Sequence, residues 1–417
     1  MYEQISISDI ADVVTGKTPS TKDSGLWEPD IPFITPKDLQ ATKHIVATDR
    51  GVSNAVKDKY SKQVIPAGSI CVSCIGNLGY VGVTEATSLT NQQINTILPN
   101  DPCDSDYLYY AMRWLWPYFK HLEGQSTALS IINKSQFKRI SIPWPNQRLR
   151  QRISDILNRL DDMIELNLRT NDYLAETCFV KLQAMTHETD ASATVDDYCE
   201  RIYSGGTPST NHPEYWNGDL PWLSSGETRN LFIIGTEKTI TREGVQDSST
   251  KLAFAGDVVM ASAGQGLTRG QTSMILLDTY VNQSVIIMHP KSNCGAFLLF
   301  QLAGSYDKLR AWSDSTSTRG SMSGKLLRGF EMPALQVDKL EEYESFCAPL
   351  IRLIKNNLRE CDSLAKARDV LLPRLMSGEI DVSNVKLPTP PNNHLSLMAI
   401  EVPDLSDLSS FEISSIL

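Results

Sequence analysis

The strongest constraint in this sequence is that it says the same thing twice. Residues 16–32 read GKTPSTKDSGLWEPDIP and residues 205–221 read GGTPSTNHPEYWNGDLP, with eight of seventeen positions identical at a fixed offset of 189. Gly16, Thr18, Pro19 and Trp27 thus answer to Gly205, Thr207, Pro208 and Trp216. The echo continues with small drifts in offset: Pro66–Ile70 matches Phe254–Val258, Asn91-Gln92 matches Asn282-Gln283, and Ile140–Pro143 matches Phe330–Pro333. Solenoid units repeat every ~20 to 50 residues, so a period this long marks duplicated domains.

Each copy has two unlike parts. The first consists of short apolar runs such as SICVSCIG and GDVVMASAG between Gly, Pro, Asn and Ser, which predicts strands and turns with one or two helices. The second is helical. Leu149, Ile153, Ile156, Leu160 and Met163 follow 4-3 spacing, Asn167 and Thr170 continue it, and Leu174 resumes the apolar line. Tyr343, Phe346, Leu350, Leu353, Asn357 and Leu364 form the counterpart. Forty residues at ~1.5 Å rise give a rod of roughly 60 Å, whose apolar seam must be covered. The expected fold is therefore mixed α/β: two duplicated domains separated by two long antiparallel coiled-coil helices, related by a pseudo-two-fold, with Asn167 and Asn357 setting the register. The expected divisions are residues 1–145, a helix over 146–187, a second domain over 188–335, a second helix over 336–378 and an acidic tail over 379–417.

Net charge is −10 over 417 residues, which argues against a chain that grips nucleic acid by charge alone. The tail beyond 388 carries four acidic residues and no Lys or Arg, while each domain lies within two charges of neutrality. Its Pro388-rich start and later Leu405, Leu408 and Phe411 suggest a hinge followed by a docking segment. No apolar run approaches the ~18 residues of a membrane span and the start has no signal-peptide pattern, so a cytoplasmic protein is expected. Cys71-Val-Ser-Cys74 has metal-like spacing, yet the second copy holds Val259 and Ser262 there, and buried structural thiols are expected instead.

Little catalytic chemistry is written here. Gly16-Lys17-Thr18 resembles the end of a phosphate-binding loop, but Ala11 stands where its first glycine belongs and Gly206 replaces the lysine in the second copy. A nucleotide-dependent enzyme using Gly16–Thr18 is one alternative reading. A DNA-independent helical adaptor is another. The Thr-Pro-Ser-Thr runs suit turns and caps, and Trp27 and Trp216 suit the core.

The ordered motifs Ser204–Ser209, Tyr215–Trp222, Gly256-Asp257 and Asn282-Gln283, closed by Leu371–Asp381, resemble the specificity (S) subunits of type I restriction-modification systems. The resemblance implies two target recognition domains on a two-helix spacer, with no catalytic residue, metal or cofactor in this chain. It further implies double-stranded DNA, two methyltransferase subunits and two restriction subunits as partners, which would carry S-adenosylmethionine, ATP and Mg. On that reading the candidate DNA-binding residues lie on three loops per domain: Lys37, Asn77, Ser126 and Thr127 in the first, and Ser225, Glu227, Gln265, Thr268, Arg269, Thr318 and Arg319 in the second. Lys134, Lys138, Arg139, Lys325 and Arg328 are candidate phosphate contacts.

Overall fold

The computed structural model describes residues 2–40, 42–124, 130–187, 189–263, 267–316, 321–383 and 385. Each domain opens and closes on the same clasp: Gln4–Ser6 pairs antiparallel with Ser141–Pro143, and Ser192–Thr194 with Glu331–Pro333. Between the clasps lie two sheets in matching order. In domain 1 the five-stranded sheet runs Ala11–Thr15, Ile94–Pro99, Ile70–Ser73, Val81–Thr84, His44–Ile45, and in domain 2 it runs Cys199–Ser204, Val285–Pro290, Val258–Ala261, Thr272–Ile275, Phe232–Ile233. Only the last pair is parallel in either copy. A four-stranded sheet accompanies each, and its Ile31–Ile34 and Trp216–Leu223 strands pair in parallel with Ser88–Thr90 and Thr279–Val281. Helices Ser105–Trp114 and Gly295–Ala303 cover the larger sheets.

The repeated motif is explained by backbone accounting. Thr18 Oγ1 donates to Gln92 Oε1 at 2.5 Å, and Thr207 hydrogen-bonds Gln283 in the same way. The Trp27 and Trp216 indoles each donate to a serine carbonyl, Ser20 and Ser209, at 3.2 Å. A Cβ on Gly16 would collide with the Asn91 carbonyl, and one on Gly205 with the Val281 carbonyl, so only glycine permits this approach. The tryptophans also pack edge-on, Trp27 against Phe33 at 5.1 Å and Trp216 against Trp222 at 5.0 Å. Cys71 and Cys74 are buried on and just after a core strand, and burial pushes both thiols up to about 12.

The long helices span Gln147–Thr186 and Val337–Ser377, 40 and 41 residues, and run antiparallel. Domain 1 buries Ile153 and Leu157 from the start of the central helix with Leu372, Leu375 and Met376 from the end of the C-terminal helix. Domain 2 does the converse with Cys178, Leu182, Tyr343, Cys347 and Ile354. Each domain is thereby seated on one end of the pair. Val382 beyond the second helix is also buried in domain 1, and Arg152 Nη1 donates to the Val385 carbonyl at 2.6 Å. The expected hinge and docking segment lie outside the described residues.

The seam agrees with the expected one only in part. Arg150, Ile153, Ser154, Leu157, Asn171, Cys178 and Leu182 are the buried residues of the central helix, the expected Leu149, Ile156 and Leu174 are partly buried against the cores, and Met163 is 44% exposed. On the C-terminal helix Tyr343 and Asn357 face inward as expected, but Phe346 and Leu353 point outward and Cys347 and Ile354 take their places. The reason is that several seam positions are polar, so an apolar count selects their neighbours. The register pair changes accordingly. Asn357 Nδ2 donates to Asn171 Oδ1 at 2.8 Å, both residues being buried, while Asn167 donates to Glu360 Oε2 at 3.0 Å on the outer edge.

These contacts fix the sign of three substitutions in thermal unfolding. Asn357→Ala strands a buried amide and should cost about 1 to 3 kcal/mol. Asn171→Leu combined with Asn357→Leu should raise the midpoint by making the layer apolar. Asn167→Ala should stay within about 0.5 kcal/mol of the parent.

Candidate nucleic-acid interface

Among the described residues, the first candidate loop is shaped alike in both copies and the second differs. The first is a 3-10 turn, Pro36–Leu39 or Ser225–Arg229. Asp38 Oδ2 accepts from the Thr35 amide and hydroxyl, both at 2.7 Å. Glu227 Oε2 accepts from the Ser224 amide at 2.7 Å and hydroxyl at 2.8 Å, and its Oε1 accepts from the Glu237 amide at 2.8 Å. Both acids are capping-box partners that satisfy turn N–H groups.

The second and third loops abut. The Gly76 amide donates to the Ser130 carbonyl at 3.0 Å and the Ile132 amide to the Cys74 carbonyl at 2.9 Å. In domain 2 the Met322 amide donates to the Ser262 carbonyl at 2.8 Å. Domain 1 adds an exposed aromatic cluster here: Trp116 lies 5.5 Å from Tyr80, with the Lys120 ammonium 4.1 Å from the indole centroid. Lys120 also pairs with Glu123 at 2.9 Å, and Glu123 accepts from the Leu78 amide, tying this cluster to the Asn77 loop. Domain 2 places Tyr306 at the same loop, where its hydroxyl donates to the Leu267 carbonyl at 2.5 Å.

The candidate residues divide into outward and inward groups. Lys37 and Asn77 are exposed, Lys37 sharing a 2.5 Å ion pair with Asp49, while Ser225 and Thr268 are half-buried. Lys134, Arg139 and Lys325 are exposed, Lys138 is partly so, and among the described residues none of the four forms an ion pair. Three candidates are engaged within the fold. Glu227 is buried, and its carboxylate caps the turn. Arg269 is buried and its Nη2 donates to Asp314 Oδ1 at 2.5 Å, so it pins the loop to the helix Tyr306–Thr316 and does not project from it. Arg328, partly exposed, pairs with Asp196 and donates to the Ile202 carbonyl at 2.9 Å. Ser126, Thr127, Gln265, Thr318 and Arg319 lie outside the described residues.

The nucleotide reading of Gly16–Thr18 fails on geometry. A phosphate cradle needs free amides pointing into one concavity. Here the Gly16 amide donates to the Ile94 carbonyl at 3.1 Å and the Lys17 amide to the Thr90 carbonyl at 2.8 Å.

The profile described as the type I restriction modification DNA specificity domain matches residues 1–176. The chain is 24% identical to the type I restriction enzyme MjaIX specificity subunit of Methanocaldococcus jannaschii, over 91% of this chain and 93% of that relative. It is 36% identical over 150 residues to the HindI specificity subunit of Haemophilus influenzae, which spans 36% of this chain and 33% of that relative. The crystal structure of the type I restriction-modification system S subunit from M. genitalium shares the fold with a TM-score of 0.52 at 17% identity, covering 90% of this chain and 96% of that one. The family model thus covers the first domain and most of the central helix, and the similarity to a specificity subunit runs along most of the chain. The structure carries the two duplicated α/β domains and the paired helices that its sequence implied.

Sequence reasoning missed the tie between domain 1 and the helix pair. Arg150 bonds Asp104 at 2.7 and 3.0 Å, and Lys43 is buried between Asp106 and Asn158. The available signal was comparison of the copies, because the second copy has Leu340 at the position of Arg150. The inward placement of Glu227 and Arg269 predicts that Glu227→Ala and Arg269→Ala each lower the unfolding midpoint of the protein, the former through a loss of about 1 to 3 kcal/mol of stability from lost capping and stranded amides. Lys134→Ala, at an exposed site, should leave the midpoint unchanged.

Proposed function

We propose that this specificity subunit reads a bipartite, asymmetric DNA site, one half with each domain, and scaffolds the catalytic subunits of a type I restriction-modification complex. The observation carrying this reading is the placement of two copies of one α/β fold at opposite ends of a paired-helix rod. The copies share their scaffolds but not their loops: Pro36-Lys37-Asp38 in one faces Ser225-Gly226-Glu227 in the other. Matching sheet topologies with different loop side chains suit recognition of two unlike half-sites, since bases are read by side chains in the grooves while phosphate contacts only position the protein.

Two methyltransferase subunits and two restriction subunits dock on this scaffold, and S-adenosylmethionine, ATP and Mg act on them. Among the described residues no helix is long and apolar enough to cross a membrane, in keeping with a cytoplasmic complex. Lys37, Asn77, Ser225 and Thr268 remain the described candidates for base contact, and Lys134, Lys138, Arg139 and Lys325 for phosphate contact. Ser126, Thr127, Gln265, Thr318 and Arg319 remain candidates on sequence alone.

Methylome sequencing of cells with and without this gene should report a two-part asymmetric motif, and exchanging residues 1–145 for another family member's domain should change one half only. A palindrome, or a motif altered in both halves, would sink the two-reader assignment. A complex that assembles yet shows no sequence preference would favour the helical adaptor instead.

Charge sets a further expectation. With a net charge of −10, the chain alone should bind DNA weakly, the steep salt dependence appearing only once methyltransferase subunits join. Within the complex, Lys134→Ala and Lys325→Ala should each weaken binding to all sequences alike and reduce the slope of log K against log salt by about 0.9. A salt titration of affinity, with and without the methyltransferase, measures both effects.

A further inference from the structure

The two domains are seated on the helix pair by different chemistry. In domain 2 the helix Gly295–Ala303 meets the spacer through rings: Phe300 lies edge-on to Phe179 at 4.8 Å and Phe297 edge-on to Tyr343 at 6.5 Å. In domain 1 the corresponding helix, Ser105–Trp114, meets it through polar groups. Lys43 is buried; its Nζ donates to Asp106 Oδ1 at 2.6 Å and Asn158 Oδ1 at 2.5 Å, and lies 5.3 and 5.1 Å from the Tyr109 and Tyr110 ring centroids. Asn158 Nδ2 donates to Asp106 Oδ2 at 2.9 Å. The Tyr110 hydroxyl reaches Asn158 Oδ1 at 3.0 Å and Asp161 Oδ2 at 2.7 Å, and Arg368 Nη1 donates to Asp161 Oδ1 at 2.6 Å. A continuous run of hydrogen bonds therefore leads from Lys43 through the central helix to the C-terminal helix.

The sister domain shows what this position requires for folding alone. The Lys43 carbonyl accepts from the Val83 amide at 2.8 Å, and in domain 2 the Leu231 carbonyl accepts from the Met274 amide at 2.9 Å, which makes Leu231 the counterpart. Leu231 packs on the apolar core. A leucine thus suffices to fill the site, whereas a buried ammonium must be desolvated and is tolerable only with its partners in place. Burial disfavours the charged Asp106 carboxylate, but Lys43 and Asn158 outweigh that and hold it below its ordinary value. Lys43 also stands at the exit of the Pro36–Leu39 turn, just before the parallel strand His44–Ile45.

We propose that Lys43 is a positioning residue for the half-site read by domain 1. By bonding Asp106 and Asn158 it fixes the exit of the 35–40 loop against the spacer, so that the loop's attitude to DNA is set by the helices. Domain 2 takes the same attitude from packing. The proposal rests on the two-reader function above and adds to it a determinant that touches no base.

The test uses the full chain assembled with its methyltransferase subunits, and follows methylation of duplexes bearing the parent motif, mismatches in the half assigned to domain 1, or mismatches in the other half. Lys43→Met should reduce discrimination against first-half mismatches by about 3- to 30-fold, the range of couplings carried through side-chain networks, and leave second-half discrimination unchanged. Arg368→Met, outside domain 1 in sequence, should shift first-half discrimination in the same direction, and Lys43→Arg should restore it. If Lys43→Met does not fold, Arg368→Met decides alone. Equal loss on every duplex, or a lower melting temperature with first-half discrimination intact, would reduce Lys43 to a structural tie and overturn the proposal. A parent complex with no two-part preference would instead defeat the functional reading, and the proposal with it, before any variant is compared.

Discussion

The structure depends on one packing arrangement, the antiparallel seam in which each long helix lends its first turns to one domain and its last turns to the other. Ile153 and Leu157 complete the core of domain 1 together with Leu375 and Met376, and Cys178 and Leu182 complete domain 2 together with Tyr343 and Cys347. Each domain has smaller apolar clusters of its own, but its largest core is completed by residues of both helices. The helices are consequently part of both folds rather than a linker between them, and the separation of the domains is as rigid as the cores that hold the helix ends. A flexible tether of the same length would leave the two reading surfaces free to wander.

Duplication supplied the scaffold and divergence supplied the differences. What stays identical is what backbone chemistry enforces: the clasp strands, the glycine pressed against a carbonyl, the threonine bonded to the Asn-Gln motif and the indole bonded to a serine carbonyl. What changes is solvent-facing or domain-specific, including the 3-10 turns and the contacts with the spacer. The Glu344 carboxylate caps the helix Gly295–Ala303 by accepting from the Phe297 amide at 2.8 Å, and burial raises its pKa against that bonding. Domain 1 has no such acid at the matching Ser154, and bonds Arg150 to Asp104 instead.

The architecture was legible because repeats and helical periodicity are long-range, redundant signals. The two helices span Gln147–Thr186 and Val337–Ser377, each directly following the closing strand of a clasp. The seam was partly misread because Arg150, Ser154 and Asn171 occupy it, and polar letters do not announce burial. Side-chain directions at the candidate loops were not legible. Glu227 carried a readable clue, since Ser224 three residues earlier completes a capping-box signature. Arg269 carried none, because its partner Asp314 lies 45 residues away in sequence and meets it only through the fold.

The shared ownership of the helices has a consequence for how such a chain is made. Domain 2 can assemble when Ile354 has been synthesised, soon after its own last strand. Domain 1 is translated first but waits for Leu372, Leu375 and Met376, roughly 230 residues after its closing strand, a delay on the order of 10 to 50 s at ribosomal speeds. During that interval the apolar side chains that will receive the C-terminal helix have no partner. The nascent chain therefore finishes its second-made domain first, and its first-made domain is the one exposed to chaperones and to aggregation.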